Sequence, residues 1–301
     1  MSRLPALLRS SVLASTLTAT ALGGCVASDE VGVTDTAEEL IGGVPASSAH
    51  LDAVGSLGTP LSRTPMTPFC TATLITPTVV LTAQHCLEDL TPDQVFFLIG
   101  ADGRAPKRVV PTARFVIEDT VQGGFIGLGA DVAIIHLAQP VNDVRPLGYA
   151  RLDARRVGDR FTTIGYGVQN ADEDSDTRMA GSVTLRGIGG RVFERMFGSI
   201  EAFAAEAPNL APPVKPEEVA PFFAETLFLD DYEALFGNVL GDAQNCFGDS
   251  GGPVIQRAGN KLQVVGVVSG GIASNRLLCD YGGVFAVFGP AAFDMIQRET
   301  R

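Results

Sequence analysis

Residues 246–253 read Cys-Phe-Gly-Asp-Ser-Gly-Gly-Pro, and this stretch decides how the rest of the chain is interpreted. A serine flanked by glycines can expose its hydroxyl and lets a substrate carbonyl approach the backbone. The N–H groups of Gly248 and Ser250 can then donate to a developing oxyanion, at roughly 3–4 kcal/mol per donor. A glycine-rich turn between two strands would look the same, so the assignment depends on partners elsewhere in the chain.

The positions of the histidines narrow the class of enzyme. The Gly-x-Ser-x-Gly pattern around Ser250 also fits the nucleophile elbow of α/β-hydrolases, in which the acid and the histidine follow the serine. All the histidines of this chain precede Ser250, namely His50, His85 and His136. The α/β-hydrolase class is therefore excluded, and a base must come from upstream.

Two upstream segments supply a base and an acid. His85 lies in Thr-Ala-Gln-His-Cys directly after an apolar run, and Asp131 stands just ahead of another apolar run. A serine hydroxyl is a weak nucleophile, so an imidazole must accept its proton. A buried carboxylate then holds the imidazole tautomer and stabilises the imidazolium. The order His, Asp, Ser is that of chymotrypsin.

The body of the chain is predicted to be all-β. Short runs rich in Val, Ile, Thr and Phe, many of them bounded by Gly, Pro, Asn or Asp, predict strands, and a turn is expected at 258–260. The runs are 53–57, 70–82, 94–99, 109–117, 131–137, 160–165, 181–185, 253–256, 262–269 and 283–288. Residues 192–240 instead show apolar spacing typical of amphipathic helices, and 290–300 predict a terminal helix.

Together these segments resemble the chymotrypsin/trypsin family of serine endopeptidases over about residues 40–300. The motifs are Leu-Ile-Gly-Gly at 40–43, the His85 and Asp131 segments, Gly-Tyr-Gly at 165–167, 246–253, Val-Val-Ser-Gly-Gly at 267–271 and Gly-Val-Phe at 283–285. The resemblance implies two six-stranded antiparallel Greek-key β-barrels, about 40–145 and 146–290, with the site between them. A partly helical insertion, about 190–240, is expected in the second barrel.

The resemblance also implies the role of each site residue. His85 would be the general base and acid, Asp131 would orient it, and Ser250 would attack the scissile carbonyl. Ser269 would hydrogen-bond Asp131. Two disulfides are implied, Cys70–Cys86 and Cys246–Cys279, and both need an oxidising compartment.

The family is activated by cleavage ahead of its apolar start, after which the new α-amino group pairs with the aspartate before the nucleophile. Here that aspartate is Asp249, and the new terminus would be Leu40 or, one residue on, Ile41. The preceding residues are not basic, so activation by a trypsin-like protease is not implied. An activating protease is nevertheless an expected partner.

Substrate specificity is predicted from the pocket positions of the family. Gln244 stands where cleavage after Arg or Lys would require Asp, and Asn245 makes the floor polar but neutral. Gly271 and Gly283 leave the walls open. Medium-sized apolar or polar side chains are expected, unless Asp280 restores a basic preference.

The remaining motifs predict no cofactor and no metal site. Asp172, Asp174 and Asp176 alternate as at the start of a calcium loop but lack the following Gly and a distal Glu. The role of the insertion at about 190–240 stays open between three alternatives: a lid, an exosite and a surface for a partner. His50 and His136 are expected to be ordinary surface or core residues.

The N-terminus predicts export. Arg3 and Arg9 precede a weakly apolar stretch, as in a secretory signal over 1–24. Cleavage at Ala-Thr-Ala (19–21) and a bacterial lipoprotein box ending at Cys25 both fit. An unpaired Cys25 favours lipidation, and 25–39 would be a linker or pro-segment. The protein would be extracellular or a cell-envelope lipoprotein.

Composition limits the partners. The chain has 301 residues and a formal net charge of −12, which disfavours nucleic acid and anionic membrane surfaces. Contact with a membrane is expected only through a lipid at Cys25. Two functions remain: an exported endopeptidase acting on proteins or peptides, and a catalytically silent protease-like binding module that uses the insertion.

Overall fold

The computed structural model describes residues 43–60, 66–125, 127–168, 176–275, 279 and 281–301. Several predicted features lie outside these residues: the signal segment 1–24, the linker 25–39, Cys25, Leu40, Ile41, Asp172, Asp174 and Asp280.

Short strands make up most of the described chain. The first eight are β1 Val44–Pro45, β2 Val54–Pro60, β3 Met66–Thr76, β4 Val79–Thr82, β5 Phe96–Ile99, β6 Arg108–Ile117, β7 Ala133–Leu137 and β8 Gly148–Tyr149. The others are β9 Arg160–Gly165, β10 Met179–Ile188, β11 Gly190–Arg191, β12 Leu227–Phe228, β13 Glu233–Phe236, β14 Pro253–Ala258, β15 Lys261–Gly271 and β16 Gly283–Val287. The α-helices are α1 Val192–Phe197, α2 Ile200–Glu206, α3 Val219–Glu225 and α4 Pro290–Glu299.

The first barrel closes in the order β2-β3-β4-β7-β6-β5, and each neighbouring pair is antiparallel. Its interior is filled by large apolar side chains such as Leu57, Leu74, Leu81, Phe97 and Ile135, all fully buried. Burial on this scale is the main force that closes such a barrel.

The second barrel closes because β10 pairs with both β9 and β13. The remaining antiparallel pairs are β13–β16, β16–β15, β15–β14 and β14–β9. Two short strands are added outside the ring: β1 pairs with β10 and β8 runs parallel to β15. The predicted two six-stranded barrels are thus confirmed, although β1, which precedes the first barrel, pairs with the second.

Two details of the prediction were wrong. The run 70–82 is two strands separated by a turn at Pro77 and Thr78, because proline cannot donate a ladder hydrogen bond. Residues 233–236 are not part of a helical insertion: they form β13, with every side chain buried between β10 and β16. A fully buried strand lacks polar alternation, so periodicity alone did not separate it from a helix.

The C-terminal helix α4 packs on the barrels through Ala292, Met295 and Ile296, and Pro290 occupies its first turn, where a missing N–H costs nothing. Among the described helices, none combines the length and the apolar character that crossing a bilayer would require.

A buried arginine ties the N-terminal segment to the second barrel. Arg178, directly before β10, is fully buried. Its guanidinium donates to the carbonyl oxygens of Ala46, Ser48, Leu51 and Val54 and to the carboxylate of Asp52. A buried cation is tolerated only when its donors are satisfied in this way.

Candidate active site

Ser250 lies in a tight turn that depends on the glycine after it. Gly251 has a φ of 79°, and a Cβ at this position would lie 2.9 Å from the amide nitrogen of Ala83. The carbonyl of Ser250 accepts a hydrogen bond from the N–H of Thr71 at 2.7 Å. The turn is therefore packed against the chain just ahead of His85.

Two disulfide bonds brace this region. Cys70 is bonded to Cys86 and Cys246 to Cys279, with Cα–Cα distances of 6.2 Å and 5.5 Å, within the usual range. The first attaches the turn that carries His85 to β3. The second attaches residues 246–253, called the nucleophile turn below after the proposed nucleophile Ser250, to the segment between β15 and β16.

The backbone amides of Gly248 and Ser250 are available to an external acceptor. The carbonyl of Phe247 accepts from Val168 N–H at 2.9 Å, and in a trans peptide the N–H of Gly248 then points the opposite way. Neither amide donates a hydrogen bond to another described residue. This is the arrangement that an oxyanion site requires.

Asp131 is fully buried beside His85. Its Oδ2 lies 3.0 Å from His85 Nδ1, and its Oδ1 accepts from the backbone N–H of His85 at 3.0 Å. The hydroxyl of Ser269 donates to Oδ2. Asp131 has a φ of 35°, a left-handed conformation that costs a non-glycine residue on the order of 1–3 kcal/mol and is concentrated at functional sites.

The pKa of His85 is set by opposing effects. Burial lowers it, while the hydrogen bond and charge of Asp131 and the charge of Glu88 raise it, and the net result is a pKa above 6.5. The carboxylate thus stabilises the imidazolium, the form that His85 takes after accepting a proton.

Among the described residues, the hydroxyl of Ser250 is not hydrogen-bonded to His85. Since Nδ1 is bound to Asp131, Nε2, which lies 3.9 Å from the Cys86 sulfur, is the other ring nitrogen and the one available to accept a proton. Catalytic hydrogen bonds of unliganded enzymes are often long and shorten when substrate binds.

Asp249 is a buried carboxylate with no cationic partner among the described residues. It is 1% exposed and accepts N–H groups of Gly167 at 2.8 Å and Cys246 at 2.9 Å. Burial raises its pKa to about 6 against the effect of these two hydrogen bonds. No Lys, Arg or His of the described chain forms an ion pair with it.

The two glycines around Tyr166 make room for this carboxylate. A Cβ on Gly167 would lie 2.6 Å from the Asp249 carboxyl carbon, and one on Gly165 would clash with the same group. The Tyr166 hydroxyl lies within hydrogen-bonding distance of the carbonyl oxygens of Val54 and Gly100, which share its single proton as acceptors. The Gly-Tyr-Gly motif at 165–167 is the sequence signal for this role, which the motif alone does not reveal.

The predicted pocket residues meet at the β15–β16 hairpin. Gly271 pairs with Gly283, and Gln244 Oε1 accepts from the N–H of Gly282 at 3.0 Å. Asn245 is 6% exposed, and its Oδ1 has no hydrogen-bond partner among the described residues. That oxygen lies 3.2 Å from where a Cβ of Gly283 would be.

The other histidines and the possible metal ligands lie outside this chemistry. His50 is exposed, and His136 contacts Glu299 of α4 at 2.9 Å. Cys70, His85 and Cys86 lie close enough to suit a metal, but the two sulfurs are bonded to each other. Asp176 pairs with Arg104.

The chain belongs to the Trypsin family, whose sequence profile matches residues 40–198 and 231–289. It is similar to Seminase of Drosophila melanogaster, with 26% identity over 222 residues, 72% of this chain and 67% of that protein. The profile leaves out residues 199–230, which are called the inserted segment below. This segment is shorter than the predicted 190–240, since α1 and β13 lie within the match.

Proposed function

We propose that the protein is a serine endopeptidase that hydrolyses peptide bonds through an acyl-enzyme. The observation that carries the proposal is the His85 Nδ1–Asp131 Oδ2 contact of 3.0 Å, with the turn of Ser250 packed beside it. The free amides of Gly248 and Ser250 support the same assignment.

In the first half-reaction, Ser250 Oγ bonds to the scissile carbonyl carbon while His85 Nε2 takes its proton. The oxyanion accepts hydrogen bonds from the amides of Gly248 and Ser250. His85 then protonates the leaving amine as the C–N bond breaks. In the second half-reaction, water attacks the ester with His85 as base, and the Ser250 hydroxyl is restored.

We propose that the protein is made as a zymogen and that a new α-amino group, at Leu40 or Ile41, pairs with Asp249. The buried Asp249 carboxylate, which forms no ion pair with a described residue, supports this step, because a buried charge without a partner is costly. The folded pKa of about 6 lies above the ordinary 3.8. The unpaired protein therefore loses stability as the pH rises through this interval.

Mass spectrometry of the active form, combined with unfolding curves from pH 4 to 7, tests the activation step. The titration of Asp249 should lower the free energy of unfolding of the precursor by about 3 kcal/mol across this range. This loss should be absent from the processed protein. Full activity with residues 26–38 still attached would contradict the proposal.

For specificity we propose a neutral side chain at the residue before the scissile bond. Gln244 and Asn245 offer amide groups but no charge. The buried Asn245 Oδ1 has no hydrogen-bond partner in the described part of the chain, so it suits a substrate side chain that carries a hydrogen-bond donor. A panel of peptide anilides tests this, and dominant cleavage after Arg or Lys would refute it.

We further propose that residues 1–24 direct export and that Cys25 carries a lipid. Both disulfides agree with an oxidising compartment. Palmitate labelling should occur in the expressed protein and be lost in Cys25→Ala. Equal labelling of both proteins, or no labelling of either, would refute the lipidation of Cys25.

A fluorophosphonate probe tests the central proposal. Labelling is expected for the processed protein and should be lost in Ser250→Ala. Ser182→Ala, which removes a partly buried serine hydroxyl on β10, is the matched control and should label normally. A processed, folded protein that never labels would favour the silent binding module.

A further inference from the structure

The strand that carries Ser269 has an edge that the protein leaves open. On one side β15 is paired with β16 as far as Gly271 and Gly283. On the other side the nucleophile turn is hydrogen-bonded to Val268. The carbonyl of Val268 accepts from Gly251 N–H, and the N–H of Val268 donates to the carbonyl of Gly252, both at 2.8 Å. Beyond Val268, no described residue forms a backbone hydrogen bond on this side until the chain reaches Ala273.

At that point the inserted segment forms backbone hydrogen bonds with the chain that follows β15. Ala211 N–H donates to the carbonyl of Ala273 at 2.9 Å, and Asn275 N–H donates to the carbonyl of Asn209 at 2.7 Å. Leu210 forms an antiparallel bridge with Ser274. The hydrogen bond from Ala211 therefore occupies the carbonyl of Ala273, two residues beyond the end of β15 at Gly271.

Both ends of the edge are therefore closed by the protein itself. Residues 269–272 remain between Val268 and Ala273, and at about 3.3 Å per residue they span about 13 Å. An extended peptide could add here as one more antiparallel strand.

The closing end is a firm part of the fold. Leu210 is 4% exposed, and Phe203 stacks on Phe193 with ring centroids 4.3 Å apart. The Tyr281 hydroxyl donates to Glu206 at 2.8 Å, linking α2 to the residues beside Gly283. The wall at Ala211 is thus braced against the second barrel.

We propose that the inserted segment sets the length of substrate that the protease binds upstream of the scissile bond. The inference rests on the proposed endopeptidase function. Counting from Ser269, which is nearest the nucleophile turn, four substrate residues fit along 269–272. The fifth residue upstream reaches Ala273, whose acceptor is taken, and meets the exposed Ala211 and Pro212.

A length series gives the first test. Peptides with one common cleavage site and two to six upstream residues should show kcat/KM rising up to four residues and then levelling. A further rise of more than about threefold between four and six residues would overturn the proposal.

A charge swap gives the second test. Ala211 is exposed, so Ala211→Lys and Ala211→Glu should fold normally. Ala211→Lys should favour a peptide with Glu over one with Lys at the fifth upstream residue by about twofold to fivefold, the range of an exposed ion pair. Ala211→Glu should reverse this preference.

The control places the same charges at the other end of β15. Ala258 is exposed beside the β14–β15 turn, and Ala258→Lys and Ala258→Glu should leave the preference unchanged. If peptides are cleaved but the Ala211 variants show no change in the preference between Glu and Lys, this inference is overturned while the proposed function stands. The same holds if the Ala258 variants change the preference equally. If no peptide is cleaved by any processed variant, the proposed function fails and the inference fails with it.

Discussion

The nucleophile turn and the inserted segment contact the same strand in different ways. The turn, 246–253, reaches β15 at Val268. It is held by a disulfide and contains glycines, such as Gly251 and Gly252, at which a Cβ would clash with neighbouring atoms. The inserted segment reaches the chain beyond β15 at Ala273, held by apolar packing and aromatic contacts. Steric limits on individual residues therefore hold the turn of Ser250, whereas close apolar packing holds the inserted segment.

The largest expected effect is at the acid beside the turn. Asp131→Asn should keep the fold but lower kcat by about 10⁴, because the amide favours the wrong tautomer of His85. Steady-state kinetics on a peptide anilide, with circular dichroism to verify folding, measures this. A loss of less than tenfold would remove Asp131 from the proposed triad.

The next largest effect is expected at Gly167. Gly167→Ala would place a Cβ 2.6 Å from the Asp249 carboxyl carbon and displace the loop that carries the proposed oxyanion donors, the amides of Gly248 and Ser250. We expect kcat to fall by about 10²–10³, the value of one oxyanion donor. Gly148→Ala is the control, since the nearest atom there is 3.5 Å away. Equal activity of the two variants would contradict the role of Gly167.

The pH profile should show a tenfold loss for each pH unit on its acidic side. Neutral His85 is the proposed base, and Asp131 and Glu88 raise its pKa above 6.5 despite burial. Activity should therefore fall as the pH drops through an apparent pKa higher than that of a free imidazole. A profile of kcat/KM that breaks below pH 6 would argue against this assignment.

The smallest effect on rate is expected in the inserted segment. Phe203→Ala should lower the free energy of unfolding by about 3–5 kcal/mol, because Phe203 is fully buried among aromatic rings. Cleavage of peptides with two upstream residues should change less than twofold while the protein is folded. A large loss of rate on these short peptides would show that the segment also shapes the pocket.

The difference between the nucleophile turn and the inserted segment explains which parts of the structure the sequence could predict. The barrels were predictable because short β-rich runs and turn residues follow local rules, and 258–260 is the predicted turn between β14 and β15. The residues placed around Ser250 were named from motifs, since steric limits at the turn leave few choices of residue. Their roles stay predictions.

Long-range pairings were not predictable. Ala211 and Ala273 are ordinary residues whose hydrogen bond depends on how the inserted segment packs. Glu233, fully buried on β13, accepts from the backbone of Phe125 and Leu229, and an acidic residue in the run 217–236 gave no reason to expect burial. Such contacts come from tertiary packing.

Arg178 has a consequence for how the molecule melts. Its guanidinium belongs to the second barrel, while its acceptors lie in the stretch that leads into the first. Separating one half from the other would break all five of these hydrogen bonds at once. A partly melted molecule is therefore disfavoured, and the two halves should share a single cooperative heat-absorption peak in calorimetry.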